Sequence, residues 1–534
     1  MELWPLFTKI TIRCICFRTS ICVVIMYFTG GIAVNDFIRK LTSENWIWSE
    51  KEILVEGKSH FTERQFVDAV RFARGAYMEQ GITDGERILL MIPAGSLLYV
   101  TLYALWSIGA TGVLFDSDMD ISTRKLCMER AKVKKVIGIK PVIEQCKKYM
   151  QDEVMFLSCE SCVCFGKKGA AVSGITISPE KEALISFTSG STGVPKGIVR
   201  TFGFLECQRE EIKKQFLYEQ HDVDFAVMPI FTVTNFIFGI KTVLPAFSLR
   251  GPECAASIFE NVQKEQVTRM ILSPFLAEAM IRYGKQNKIQ LCSVRKIFVG
   301  GGPMYKHIID GVMELFPESE CYLLYGCSEA EPIALYNMKQ LTKEQWQSIE
   351  TGDGLVAGDM CLPCAIIQNE PGRQYGELDE KAWETLKLTN EVGEIIVSGK
   401  HVLSGYMDGI GDKENKIKVG DTVWHRTGDL GRIKEDGVLY LYGRTKAAIH
   451  EEGKWFYPFC VESKVYSNFQ VKKAAFLLHE GKKTLVVQAE KEEYKKIVEQ
   501  KEWLDVDKVI YIDEMPMDKK HLSKIDYGAL TSRI

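Results

Sequence analysis

The chain has 534 residues, too many for one hydrophobic core, so two or more domains are expected. Apolar residues make up 46% and charged residues 26%, the balance of an ordinary globular protein, and a net charge of −3 offers neither nucleic acid nor an acidic membrane a basic surface. The 16 cysteines are scattered through largely apolar surroundings, which fits a reducing, cytoplasmic setting better than a disulfide framework.

Residues 19–34 are mostly apolar and follow Lys9, Arg13 and Arg18, a pattern resembling a signal or short anchor. The run is shorter than the ~20 residues of a spanning helix, and Gly30 and Gly31 interrupt it. A start at Met26 or a peripheral extension is therefore preferred to membrane association through residues 10–34, and residues 1–32 are set apart from the domains.

From residue 33 onward, helical and strand-like segments alternate. Apolar residues at three- and four-residue spacing predict a helix over 63–80. A buried strand follows at 87–92, an apolar helix at 97–110 and another strand at 111–115. This alternation predicts an α/β fold with mainly parallel strands. Two CxxC spacings stand out: Cys159 with Cys162 (Cys164 just beyond), and Cys361 with Cys364. A zinc site would have to join them across about two hundred residues with no histidine nearby, so buried cysteines are the preferred reading.

Residues 188–197 carry the strongest signal. Thr188, Ser189, Gly190, Ser191, Thr192 and Gly193 lead through Val194 and Pro195 to Lys196 and Gly197. Glycines let backbone N–H groups approach a polyphosphate, hydroxyls donate to its oxygens, and lysine brings charge. The order is not that of a Walker loop, because the hydroxyls precede the lysine.

Further clusters follow. Residues 321–329 predict a strand ending in a turn that presents Tyr325, Ser328 and Glu329, and residues 425–430 place Asp429 in a tight turn. Glycine-bounded strands at 393–399 and 437–443 predict a small antiparallel subdomain. Beyond Gly443 the chain becomes lysine-rich. Strands at 473–479, 484–489 and 509–512 around a helix at 491–501 predict a small α+β domain, with the boundary at residues 443–446. Within it, residues 515–525 put Lys524 in a polar loop.

Together, in this order, these motifs resemble the adenylate-forming superfamily of acyl-CoA synthetases, luciferases and peptide-synthetase adenylation domains, over roughly residues 35–534. The resemblance implies a large N-terminal domain, 33–443, and a mobile C-terminal domain, 444–534, with Lys446 at the hinge. It implies ATP, Mg²⁺ and a carboxylic acid as reactants, with CoA or a carrier protein as acceptor. Residues 188–193 and Lys196 would hold the β- and γ-phosphates. Tyr325 would stack on adenine, with Gly301 and Gly302 lining the adenine and acyl sites. Ser328 would meet the α-phosphate. Glu329, with Thr188, would hold Mg²⁺. Asp429 would accept the ribose hydroxyls, with Arg444 reaching ribose or phosphate, and Lys524 would be the catalytic lysine.

Some positions depart from the family pattern. Thr232 stands where a histidine is usual, Ala447 follows the hinge lysine in place of an acid, and Ser523 replaces the glycine before Lys524. The spacing Pro516, Asp518, His521, Lys524, Ile525 and the aromatic segment near Phe231 are similar to the β-lactone synthetases of bacterial hydrocarbon biosynthesis. Phe231, Val233, Phe236 and Phe238 suggest an apolar acyl chain, and no Phe-Asp pair near residue 235 offers a carboxylate to an amino acid.

Overall fold

The computed structural model describes residues 34–43, 48–115, 119–148, 150, 154–170, 177–188, 194–251, 253–518 and 523–534, with backbone alone at 34–36 and 188. The phosphate-loop residues Ser189, Gly190, Ser191, Thr192 and Gly193 and the N-terminal segment 1–33 lie outside it, as does His521. Among the described residues, no helix is long and apolar enough to cross a membrane.

Two sheets dominate. A six-stranded sheet runs in the order Met155–Ser158, Lys135–Gly138, Arg87–Met91, Thr111–Leu114, Glu182–Thr188, Lys196–Thr201. Its first five strands are parallel, and the last turns back as a hairpin with Thr188 opposite Lys196. Helices Glu63–Glu79 and Ser96–Ile108 cover it. The first opens on a Thr62–Gln65 capping box, which satisfies two of its free N–H groups. The second is apolar all round, as a fully buried helix must be.

The larger sheet begins at edge strand Ser59–Thr62, antiparallel to Glu52–Glu56, and continues in parallel through Lys241–Leu244, Val223–Phe225, Arg269–Leu272, Lys296–Gly300 and Glu320–Cys327. It continues through antiparallel strands Ala330–Asn337, Leu355–Met360, Leu439–Arg444, Thr422–Ile433, Gly393–Val397 and Cys364–Ile367. The antiparallel subdomain predicted at 393–443 is thus continuous with the main sheet, and within it Gly376–Leu378 pairs parallel with Lys416–Val419.

Residue 445 onward forms a smaller unit: a hairpin (Ile449–Glu451, Lys454–Phe456), a three-stranded sheet (Val471–His479, Lys482–Ala489, Lys508–Tyr511) and helices Pro458–Asn468, Lys491–Glu499 and Tyr527–Thr531. It has its own apolar core around Val465, Phe476, Leu485 and Ile497. Helix Pro458–Asn468 docks it on the large unit: Ser463 Oγ donates to the Ile349 carbonyl at 2.5 Å, and Tyr466 stacks on Tyr305 with ring centroids 4.3 Å apart. Lys473 pairs with Glu278 at 2.7 Å.

The CxxC cysteines are free. Cys159 and Cys162 lie one helical turn apart and are buried, as the sequence reading preferred. Phe236 and Val233 are committed to the core, Phe236 stacked on Phe66 at 4.6 Å. Phe231 is likewise buried, in a second core cluster with Phe216 and Phe298 against which Tyr218 and Phe238 pack.

Candidate active site

The site forms where the two sheets and the small unit meet. Strand Glu320–Cys327 turns through Ser328 and Glu329 straight into Ala330–Asn337, so those two residues occupy the tip of a hairpin. Arg200, on strand Lys196–Thr201 at the edge of the six-stranded sheet, is buried behind that tip. It donates to the Ser328 carbonyl at 2.7 Å and to Ser186 Oγ at 2.8 Å.

Asp429 does not sit in a tight turn. It lies within strand Thr422–Ile433, opposite Arg444, next to left-handed Gly428, with a register shift just beyond it at Leu430–Gly431. One carboxylate oxygen accepts from Tyr325 OH at 2.9 Å and the other from Arg444 Nη1 at 2.9 Å. Strand pairing fixes all three: Tyr325 and Asp429 end facing each other across 104 residues of sequence. A carboxylate has lone pairs left for further donors.

Glu329 heads a second cluster. Its Oε1 accepts from Tyr406 OH at 2.8 Å, and the Tyr406 ring carries two ammonium groups, Lys196 and Lys416, each 5.2 Å from the ring centre. Lys416 lies opposite His425 in the ladder, with Nζ 3.2 Å from Nδ1, and donates to the Leu403 carbonyl. Burial pushes Lys416 down to about 8, against the pull of Glu329 and Asp412. Burial beside Lys416 likewise pushes the His425 imidazole down to about 3, so the positive charge of that pair resides on the lysine. Burial works to raise the Glu329 carboxyl, but this pair and the Tyr406 hydroxyl outweigh it and hold Glu329 below its usual value. Lys196 is 7% exposed and is lowered by burial, with Glu329 and Glu414 opposing.

The small unit contributes Lys524. Its loop is closed by Asp518 at both ends: the Asp518 N–H donates to the Lys524 carbonyl at 2.7 Å, and the Lys524 N–H donates to the Asp518 carboxylate Oδ1 at 2.8 Å. Ser523 rests against Gly302, where a Cβ would come within 3.1 Å of it, and its hydroxyl accepts from the Phe275 N–H at 3.4 Å. This contact brings Lys524 within electrostatic reach of Arg444 and Asp429. The surrounding protein, followed by Arg444, lowers its ammonium, while Asp429 and Asp518 oppose. Gly301, left-handed at φ +91°, has open space where a side chain would stand. Lys446 follows Arg444 in a short 3₁₀ turn leading into the small unit.

The structure thus gathers Lys196, Tyr325, Ser328, Glu329, Asp429, Arg444 and Lys524 around one cleft. The side chain of Thr188 and residues 189–193 are outside the described residues. The sequence reading missed Arg200, Tyr406, Lys416 and the inward turn of His425 and Cys327. No motif marks Lys416 or Tyr406, which reach the site through strand register and a connecting segment.

The arrangement suits a nucleotide. Lys196, Arg444 and Lys524 supply cationic donors, Asp429 an acceptor, and Gly301 a close approach. The Glu329 carboxylate is the hard oxygen donor that Mg²⁺ wants, although Cys327 and His425 beside it are donors that Mg²⁺ does not use.

Fold and site therefore define an α/β protein with a small C-terminal unit whose Lys524 lies within electrostatic reach of the Arg444–Asp429 pair. The AMP-binding enzyme family profile matches residues 47–407, and the chain belongs to that family. It is 25% identical over 391 residues to an olefin beta-lactone synthetase of Xanthomonas campestris, covering 68% of each protein. It is 22% identical over 505 residues to a 2-succinylbenzoate–CoA ligase of Bacillus licheniformis, covering 91% of this chain and 93% of that protein. Among solved structures it resembles Bacillus subtilis O-succinylbenzoate coenzyme A synthetase in complex with ATP and magnesium ion, with a TM-score of 0.71 at 18% identity, over 89% of this chain and 95% of that one.

Proposed function

We propose that this enzyme activates a carboxylic acid with ATP and Mg²⁺, releasing pyrophosphate and forming an acyl-adenylate, and then passes the acyl group to a thiol, CoA or a carrier-protein phosphopantetheine. The observation that carries this reading is the placement of Lys524 beside the Arg444–Asp429 pair by the Ser523–Gly302 contact. A carboxylate attacking the α-phosphorus brings negative charge to a triphosphate, and cationic groups fixed around that atom stabilise the in-line transition state. In this reading Glu329 holds Mg²⁺, whose chemistry is to neutralise phosphate charge. Lys196 and the 188–193 loop hold the β- and γ-phosphates, Ser328 meets the α-phosphate, and Tyr325, Gly301 and Gly302 form the adenine and acyl walls. Asp429 and Arg444 take the ribose.

Residues 444–534 act as a mobile domain turning about Lys446, which withdraws Lys524 after the first half-reaction.

A second reading, closure of a β-hydroxy acid to a β-lactone, is supported by the Pro516–Ile525 spacing and by the similarity to olefin beta-lactone synthetase. Pyrophosphate release with fatty, β-hydroxy and aromatic acids, with and without CoA, tests both. A CoA-dependent thioester product supports the first. A lactone formed at equal rate without CoA replaces it with the second, and no acid-dependent pyrophosphate release sinks adenylation altogether.

A further inference from the structure

Lys196 and Glu329 reach the cleft from different sheets, and one segment of chain, residues 405–412, touches both. Tyr406 is the bridge: its OH donates to Glu329 Oε1 at 2.8 Å, and the Lys196 ammonium lies 5.2 Å from its ring centre. The segment lies flush against the Lys196 strand. A Cβ on Gly411, left-handed at φ +100°, would fall 2.9 Å from Lys196 Cδ, and one on Gly197 would fall 2.8 Å from Met407 Cβ. Asp412 folds the segment back on itself, its Oδ1 accepting the Tyr406 N–H at 2.8 Å.

Arg130, the last residue of helix Ile121–Arg130, fastens this segment to the start of the Lys196 strand. Its side chain is 10% exposed, with Cζ 5.7 Å from the centre of the Phe187 ring. Nη1 donates to the Pro195 carbonyl at 2.5 Å and Nη2 to the Met407 carbonyl at 3.3 Å, while Nε lies 3.7 Å from Asp408 Oδ2. Pro195 precedes Lys196, and Met407 follows Tyr406. One planar guanidinium thus ties together the two backbones between which Lys196 is held, a fork that an ammonium on a flexible stem does not reproduce. We propose that Arg130 is a positioning residue for the β- and γ-phosphate half of the nucleotide site: through Pro195 and Met407 it sets the Lys196 ammonium relative to the Glu329 carboxylate. This inference rests on the adenylation reading, in which Lys196 takes those phosphates and Glu329 the Mg²⁺. Losing Arg130 then impairs recognition of a polyphosphate and spares AMP, whose contacts fall to Tyr325, Ser328, Asp429 and Arg444. A general loss of folding impairs both alike.

The test titrates the full chain with ATP and with AMP, each in MgCl₂, by calorimetry, in wild type, Arg130→Met, Arg130→Lys and Arg71→Met. Arg71 is a buried arginine outside the cleft that also donates to two backbone carbonyls, Leu41 at 2.6 Å and Ser43 at 2.7 Å, so it reports the general cost of losing such a side chain. Arg130→Met is expected to weaken ATP binding about 10-fold while AMP binding stays within about twofold of wild type, with Arg130→Lys between the two. In pyrophosphate release, KM for ATP should rise by the same factor and KM for the acid should not change. Arg71→Met is expected to melt at a lower temperature and to keep the wild-type ratio of ATP to AMP affinity. If Arg130→Met does not fold, Arg130→Lys carries the comparison. A wild-type ratio in the Arg130 variants, AMP weakened as much as ATP, or the same shift in Arg71→Met overturns the positioning role and leaves adenylation standing. A wild-type protein that binds no ATP overturns the adenylation reading and this inference with it.

Discussion

Lys524 and Arg200 show how differently single residues declare themselves. Lys524 is one of many lysines, and only its motif spacing singles it out; the proposed role requires its ammonium to reach the bound nucleotide. Lys524→Ala is expected to reduce acid-dependent pyrophosphate release by about 10²–10³-fold, the scale of one lost transition-state donor. Thioester formation from supplied acyl-adenylate should be spared. Wild-type adenylation in that variant would remove Lys524 from the site. Arg200 carries no motif signal, yet it is buried with hydrogen bonds to the Ser328 carbonyl and Ser186 hydroxyl. Buried Glu331 is pushed up to about 7 by burial, with Arg200 drawing it back. Arg200→Met should therefore cost about 1–3 kcal/mol of stability in a denaturant titration, because it strands those partners in the interior. It should also slow pyrophosphate release about 10-fold by loosening the Ser328–Glu329 tip. Unchanged stability would show that the guanidinium does not hold that turn.

At the scale of elements, those the sequence named, such as the helix at 63–80 and the strand at 87–92, lie within a few residues of the observed Glu63–Glu79 and Arg87–Met91. Periodicity reports which face of an element is apolar, and caps such as Thr62 with Gln65 mark its start. It placed Asp429 in a turn because Thr427, Gly428 and Asp429 have turn composition, whereas pairing with Leu439–Arg444 carries the strand straight through with a local irregularity. Lys416 and His425 become neighbours by register, which local sequence does not record. The contact between the C-terminal loop and Gly302 is testable at this scale. A Cβ there lies 3.1 Å from the Ser523 carbonyl oxygen and Cβ, so the loop must shift to admit it. Gly302→Ala should lower pyrophosphate release about 10-fold by displacing Lys524, since small misplacements are costly in a catalytic site. Its melting temperature should stay close to wild type. A variant with full activity would show that loop docking at Gly302 does not position the lysine.

Across the whole molecule, the two units meet at a buried carboxyl. Glu462, 2% exposed, accepts from Tyr305 OH of the large unit, and from the Phe476 N–H at 3.0 Å and Tyr527 OH at 3.2 Å within the small one. Burial pushes it from an ordinary 4.5 up to about 7, against those donors. A raised carboxyl is protonated in the docked state over a range where the exposed group is ionised. Its contribution is thus complete below about 4.5 and is lost as pH rises to about 7, by at most about 3 kcal/mol. Thermal stability should fall across that window in wild type and more weakly in Glu462→Gln; parallel pH profiles would refute this. The amino-acid sequence by itself determined the family and an α/β fold with a large N-terminal and a smaller C-terminal unit. It could do so because loop chemistry and periodicity are written in contiguous residues. Only the tertiary structure decided that Arg200 backs the Ser328 turn, that Tyr406 links two lysines to Glu329, that Cys327 and His425 converge on that carboxylate, and that Glu462 is sealed between the units. Each of these depends on residues far apart in sequence being brought together by strand register and domain docking, and burial then sets their charge.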